Sequence, residues 1–166
     1  MNTSLLKKIL MAALFAGTLF TSHAALKVGD PLPDLAGFAL EGKLPESLAG
    51  KVVILDFWAS WCGPCKDSFP AMNDLQKKYG DRGLVIIAVN VDEAASDMQD
   101  FLKDNKAAFV VVRDVKQKLV AAAGVPTMPS SFIVDPAGRV RFTHSGFHGD
   151  KTRAEYETQI ESLLKK

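Results

Sequence analysis

Asp56-Phe57-Trp58-Ala59-Ser60-Trp61-Cys62-Gly63-Pro64-Cys65-Lys66 is the stretch that organises this chain. Upstream, Val52 to Trp58 is a continuous apolar run broken only by Asp56, the pattern of a strand buried on both faces. Downstream, Phe69, Met72, Leu75 and Tyr79 fall at helical spacing, so the strand feeds a helix. Cys62 falls at the helix start, where free N–H groups and the positive end of the dipole favour a thiolate. A lowered pKa makes Cys62 the nucleophile. Cys65 lies within the first turn, close enough to close a disulfide with it. Pro64 needs no N–H there, and Gly63 leaves room for a partner chain to approach. Asp56 is the odd residue, because a carboxylate in an apolar strand is costly and burial raises its pKa. Six residues before Cys62, it can lie beneath the pair and exchange a proton with Cys65. The alternative is an Asp at the strand's end bonded to a backbone group.

Outward from this centre the chain alternates. Leu84 to Val91 reads as a second buried strand, about 95–105 as a helix, Phe109 to Val112 as a third strand and about 116–123 as a short helix. Ser131–Val134 and Val140–Thr143 flank the turn Asp135-Pro136-Ala137-Gly138, which predicts an antiparallel hairpin. Thr152-x-x-Glu155 reads as a capping box, and Tyr156, Ile160, Leu163 and Leu164 stripe a final helix. Residues 25–50 are rich in turn formers and predict an extension with one short hairpin around Phe38 to Leu44. Strands alternating with helices and ending in a hairpin and a helix make an α/β protein, a mixed central sheet flanked by helices.

The first 24 residues have another grammar: Lys7 and Lys8, an apolar run from Ile9 to Phe20, then Thr21-Ser22-His23-Ala24. This is a secretory signal with cleavage expected after Ala24, leaving 25–166 as one domain. An anchor left in place is the alternative, but the run is short of the ~20 residues a spanning helix needs. Removing the signal leaves 18 basic against 19 acidic residues. That balance excludes a phosphate-tracking nucleic-acid binder, and 48% hydrophobic residues exclude disorder. Export places the cysteine pair in an oxidising compartment, and the pattern fits a bacterial periplasm.

The segment from Asp56 to Lys66 resembles the active-site stretch of thioredoxin, and Pro70 matches the proline inside the thioredoxin active-site helix. The whole chain from about 26 to 165 resembles the secreted thioredoxin-like family that includes TlpA, ResA and the CcmG/DsbE proteins. Val28-Gly29-Asp30-Pro31-Leu32-Pro33-Asp34-Leu35, Val89-Asn90-Val91-Asp92-Glu93, Phe109 to Asp114 and Pro129 to Gly138 carry that likeness. The resemblance implies a thioredoxin-like fold with the N-terminal β-hairpin extension and a central strand/helix insert. It implies that Pro129 is cis and faces the pair, so that Met128 offers its backbone to an extended substrate strand. It also implies that Glu93 lies near the cysteines and influences their protonation.

These residues together describe a thiol–disulfide oxidoreductase needing no cofactor or metal and acting as a monomer. Gly63-Pro64 resembles the reductant thioredoxin rather than an oxidant of the DsbA type. Family work of this kind is reduction of disulfides in apocytochrome c or in copper-site proteins, with electrons from a membrane donor of the DsbD or CcdA kind. An oxidant or isomerase of secreted proteins is one alternative, and a Cu(I)-binding module using Cys62 and Cys65 is another. A peroxidase is disfavoured, because Ala59 stands where the peroxiredoxin motif has Thr. His144 and His148 read as surface histidines, Trp58 as core, and Trp61 as part of the partner surface.

Overall fold

A computed structural model describes residues 25–164; the expected signal segment lies outside the described residues. The strands are β1 (Val52–Trp58), β2 (Leu84–Asn90), β3 (Val110–Arg113), β4 (Ser130–Val134) and β5 (Val140–Ser145). The helices are α1 (Gly63–Tyr79), α2 (Ala95–Asp104), α3 (Lys118–Ala123) and α4 (Asp150–Leu164). The sheet order is β3-β2-β1-β4-β5. β1 pairs parallel with β2 and antiparallel with β4, while β3 and β5 form the two edges. The sheet is mixed, as its sequence pattern predicts, and β1 lies at its centre.

All seven residues of β1 are buried. Val53, Leu55 and Phe57 face one core with Leu35, Leu119 and Ala123. Val52 and Ile54 face a second core built from Met72, Leu75 and Tyr79 of α1 and Tyr156, Ile160 and Leu163 of α4. Alternation along the strand puts Asp56 and Trp58 on the α1/α4 side as well. There Trp58 packs on Phe69 of α1 and Phe101 of α2, each with ring centroids 4.8 Å away. Phe69 also meets Phe101 at 5.0 Å and Phe109 at 5.2 Å, so it ties α1, α2 and the sheet together. The segment 95–113 thus forms the expected strand/helix insert, packed by its aromatics beside the cysteine loop.

Two local expectations are corrected. No hairpin forms over 38–44. Leu35–Phe38 is a 3₁₀ turn whose Ala36 N–H donates to Asp34 Oδ1, and Ala39 (φ 52°) and Gly42 (φ 121°) interrupt any extended run. What remains is one bridge, Glu41 to Arg113, drawn in by the Glu41 carboxylate against the Arg113 guanidinium at 2.6 Å. A second bridge joins Pro31 to Arg139. The capping box is also displaced. Gly149 (φ 61°) lets α4 begin at Asp150, so Thr152 is inside the helix and its Oγ1 accepts from His148 N–H at 3.0 Å.

Replacing Phe69 with Ala removes the ring shared by three aromatic neighbours in a site 2% exposed. We expect a loss of about 3–5 kcal/mol in denaturant unfolding, with the slope of the transition unchanged.

Candidate active site

Beyond Trp58 the chain leaves the sheet and is pinned at once. Val91 N–H donates to Trp58 O at 3.0 Å, and Ser60 N–H donates to both carboxylate oxygens of Asp92 at 3.1 Å. Asp92 is buried and is oriented by Asn90, whose Nδ2 donates to Oδ2 at 2.8 Å. Arg113 then holds the Asp92–Glu93 turn by donating to the Glu93 carbonyl at 2.8 Å. These contacts fix the loop that presents Cys62.

Cys62 is the N-cap of α1 and is disulfide-bonded to Cys65, with the Cα atoms 5.3 Å apart. Its sulfur accepts from Cys65 N–H at 3.2 Å, and its carbonyl accepts from the N–H groups of Cys65 and Lys66. A reduced Cys62 therefore carries its charge against a helix N-terminus with an N–H already aimed at the sulfur. The two cysteines are not equivalent. Cys62 is 5% exposed, whereas Cys65 is 0% exposed on the inward side of the turn. Pro64 occupies the first turn, and a Cβ at Gly63 would meet no atom within 4 Å, so this side of the pair is open.

Trp61 stands 73% exposed beside the sulfur. On one flank lies a groove lined by Trp61, Cys62, Pro64, Val125, Pro126 and Met128. Met128, which lines it, is joined to Pro129 by a cis peptide bond, and Gly146 N–H donates to the Pro129 carbonyl at 2.7 Å. The other flank is a second groove that Trp61 and Met128 share with Glu93, Asp97, Gln117 and Val120. Glu93 is exposed on that second groove, which the cysteines do not line.

Asp56 is 1% exposed, and its Oδ1 has no hydrogen-bond partner among the described residues. The backbone-bonded alternative has no counterpart for this oxygen. Burial pushes the carboxyl from its ordinary 3.8 up to about 8. Trp58 is core, as its neighbours require, with its Nε1 unpartnered too. His144 differs from a surface histidine: its side chain is 11% exposed, lies edge-on to Tyr156 at 4.7 Å and pairs through Nε2 with Gln159 Oε1 at 2.8 Å. His148 is exposed on the turn before α4. Among the described residues no group of three or more His, Cys, Asp or Glu can hold a metal ion.

Sequence reasoning passed over Asp92 in favour of its neighbour Glu93. A signal was present, since Asn90 and Asp92 end an apolar strand much as Asp56 interrupts one. The partner that gives Asp92 its task, Ser60 N–H, lies 32 residues away in sequence.

The Asp56 carboxyl ties stability to pH. The unfolded chain releases this proton near pH 4, while the folded oxidised chain holds it to about pH 8. Ionisation therefore favours unfolding, and this group's contribution to stability falls as pH rises through that window. Asp56→Asn should flatten the pH dependence of oxidised-state stability by up to about 1.4 kcal/mol per pH unit, read from denaturant midpoints between pH 5 and 9.

A family model described as Redoxin matches residues 27–160. The thiol-disulfide oxidoreductase ResA of Bacillus thuringiensis (strain Al Hakam) is 35% identical over 149 residues, covering 89% of this chain and 82% of the relative. A Chlorobium tepidum structure named as a thiol:disulfide interchange protein DsbE superposes with a TM-score of 0.77 at 42% identity, covering 84% of this chain and 99% of that one. StoA of Bacillus subtilis superposes with a TM-score of 0.57 at 28% identity, covering 66% and 84%. A matching family model over most of the chain agrees with relatives named for one chemistry, and the chain belongs to the Redoxin family, among the thioredoxin-like thiol–disulfide oxidoreductases of the TlpA, ResA and CcmG type.

Proposed function

We propose that this oxidoreductase is exported to the periplasm, with cleavage after Ala24, and works there as a reductant of protein disulfides. The observation that carries the direction of attack is the asymmetry of the pair: Cys62 at the N-cap beside exposed Trp61, Cys65 buried behind it. In the reduced protein the Cys62 thiolate attacks one sulfur of a partner disulfide, that S–S bond breaks and the partner's other sulfur leaves as thiolate. A mixed disulfide results. Cys65 then gives its proton to the Asp56 carboxylate and attacks Cys62 Sγ, releasing the partner's second thiolate. The partner gains two electrons, and the protein is left with the Cys62–Cys65 bond. A carboxyl lifted to about 8 suits this work, because it can both take and return a proton near neutral pH.

The substrate strand lies along the groove beside Met128 and Pro129, with Trp61 as its apolar wall and Glu93 beyond it. Gly63-Pro64 between the cysteines supports reduction over oxidation. Substrates are cysteine disulfides in apocytochrome c or copper-site proteins, and a membrane donor of the DsbD or CcdA kind regenerates the dithiol.

Two measurements test this. Equilibration with glutathione should give a potential nearer roughly −270 mV than roughly −120 mV, and a value above about −180 mV would sink the reductant reading. Cys65→Ser, expressed in the periplasm, should stall at the mixed disulfide and run without reductant as a few discrete higher-mass bands that collapse on reduction. Those bands should contain a haem-attachment or copper-site protein and a membrane donor. A ladder of unrelated secreted proteins points to an oxidant or isomerase, and an absence of bands with copper bound points to a metal carrier.

A further inference from the structure

Asp56 is left with an unpartnered carboxyl oxygen, and a pair of buried hydroxyls lies on the same face of the sheet. In the antiparallel ladder Asp56 stands directly opposite Ser131, so their side chains leave the sheet together toward α1 and α4. Tyr156 of α4 reaches the same place, and its OH lies 2.7 Å from Ser131 Oγ. All three residues are 1% exposed.

The hydrogen count is informative. Each hydroxyl carries one hydrogen, and the bond between the two oxygens uses one of them. Neither hydroxyl has another partner among the described residues, so one buried O–H remains to be donated. The carboxyl oxygen that lacks a donor is Asp56 Oδ1. We propose that Ser131 and Tyr156 act as positioning residues, a hydroxyl pair that turns to donate to the Asp56 carboxylate when it has lost its proton. Ser131 Oγ donates to Asp56 and Tyr156 OH donates to Ser131 Oγ. When Asp56 is protonated the two hydroxyls keep their own bond and the carboxyl stands apart from them. Turning the Ser131 side chain about its Cα–Cβ bond joins the pair to the ionised carboxylate, with no proton lost from either hydroxyl.

The groups facing this cluster are few. Tyr156 and Glu155 come from α4, and His144 from β5, against the Tyr156 ring and held by Gln159. β2 brings only Ala88 opposite Asp56. Burial, and then the Asp56 charge, hold the Tyr156 hydroxyl above its ordinary value, so it stays a proton-bearing donor throughout. Trp58 Nε1, two residues on along the strand, is the other buried donor without a partner. The variants below leave it untouched.

That the pair tunes the Cys65 step rests on Asp56 being its proton acceptor, so the test reads the carboxyl directly. Infrared difference titration of the oxidised protein follows the protonated carboxyl stretch, assigned by its loss in Asp56→Asn. Ser131→Ala and Tyr156→Phe should each raise its midpoint, Ser131→Ala by about one pH unit. Ser131→Thr, which keeps a hydroxyl in a strand, should leave the midpoint in place. Each variant removes or adds a single group, and either of the first two suffices. An unchanged midpoint in both overturns the inference. Resolution of a Cys62 mixed disulfide should follow the same displacement, about tenfold slower near neutral pH in Ser131→Ala with the high-pH plateau kept. A displaced carboxyl midpoint with an undisplaced resolution profile would uphold the hydroxyl pair and remove Asp56 as the acceptor of the Cys65 proton.

Discussion

The central strand is hydrogen-bonded along both edges and covered on both faces, and this double enclosure constrains everything around it. Seven successive side chains must be accommodated without water. Six are apolar: Val53, Leu55 and Phe57 enter one core and Val52 and Ile54 the other, while Trp58 packs with Phe69 and Phe101. The seventh is Asp56. A carboxyl in that position cannot be hydrated, so it either keeps its proton or finds donors inside the protein. This carboxyl sits where the fold is least forgiving, six residues before Cys62 in the sequence.

The two halves of the site are electrostatic opposites. At Cys62 the helix start and the Cys65 N–H favour negative charge, at the only cysteine with any exposure. At Asp56 burial disfavours it. The local field favours charge at one group and burial opposes it at the other, although they are six residues apart. The difference comes from position on the scaffold: one lies at an open helix end, the other in the middle of a closed sheet. Asp92 and Arg113 keep these environments separate by holding the intervening loop to the end of β2.

Much of this was legible in the amino-acid order, for identifiable reasons. β1 could be bounded because an apolar run enclosed on both faces leaves no ambiguity of period. The cysteines could be placed because strand, loop and helix N-terminus succeed one another within eleven residues. The hairpin expected over 38–44 failed because turn formers announce a bend without saying what the flanking residues pair with. Their partner, Arg113, lies 72 residues away. Asp92 and the Ser131–Tyr156 pair were hidden for the same reason. Their partners lie 32 and 25 residues distant, and only the strand order brings them together.

The N-terminal segment does not line the groove beside Cys62, yet it touches both margins of the sheet. Gly29 and Asp30 exchange hydrogen bonds with Val140 at the start of β5, and Glu41 exchanges two with Arg113 at the end of β3. An open sheet edge is a template on which another strand can grow. A chain begun at residue 51 would retain every atom of the cysteine site while uncovering a pairing point on each side. An open pairing point is where a second chain can add its strand, and this segment occupies one on each edge of the sheet.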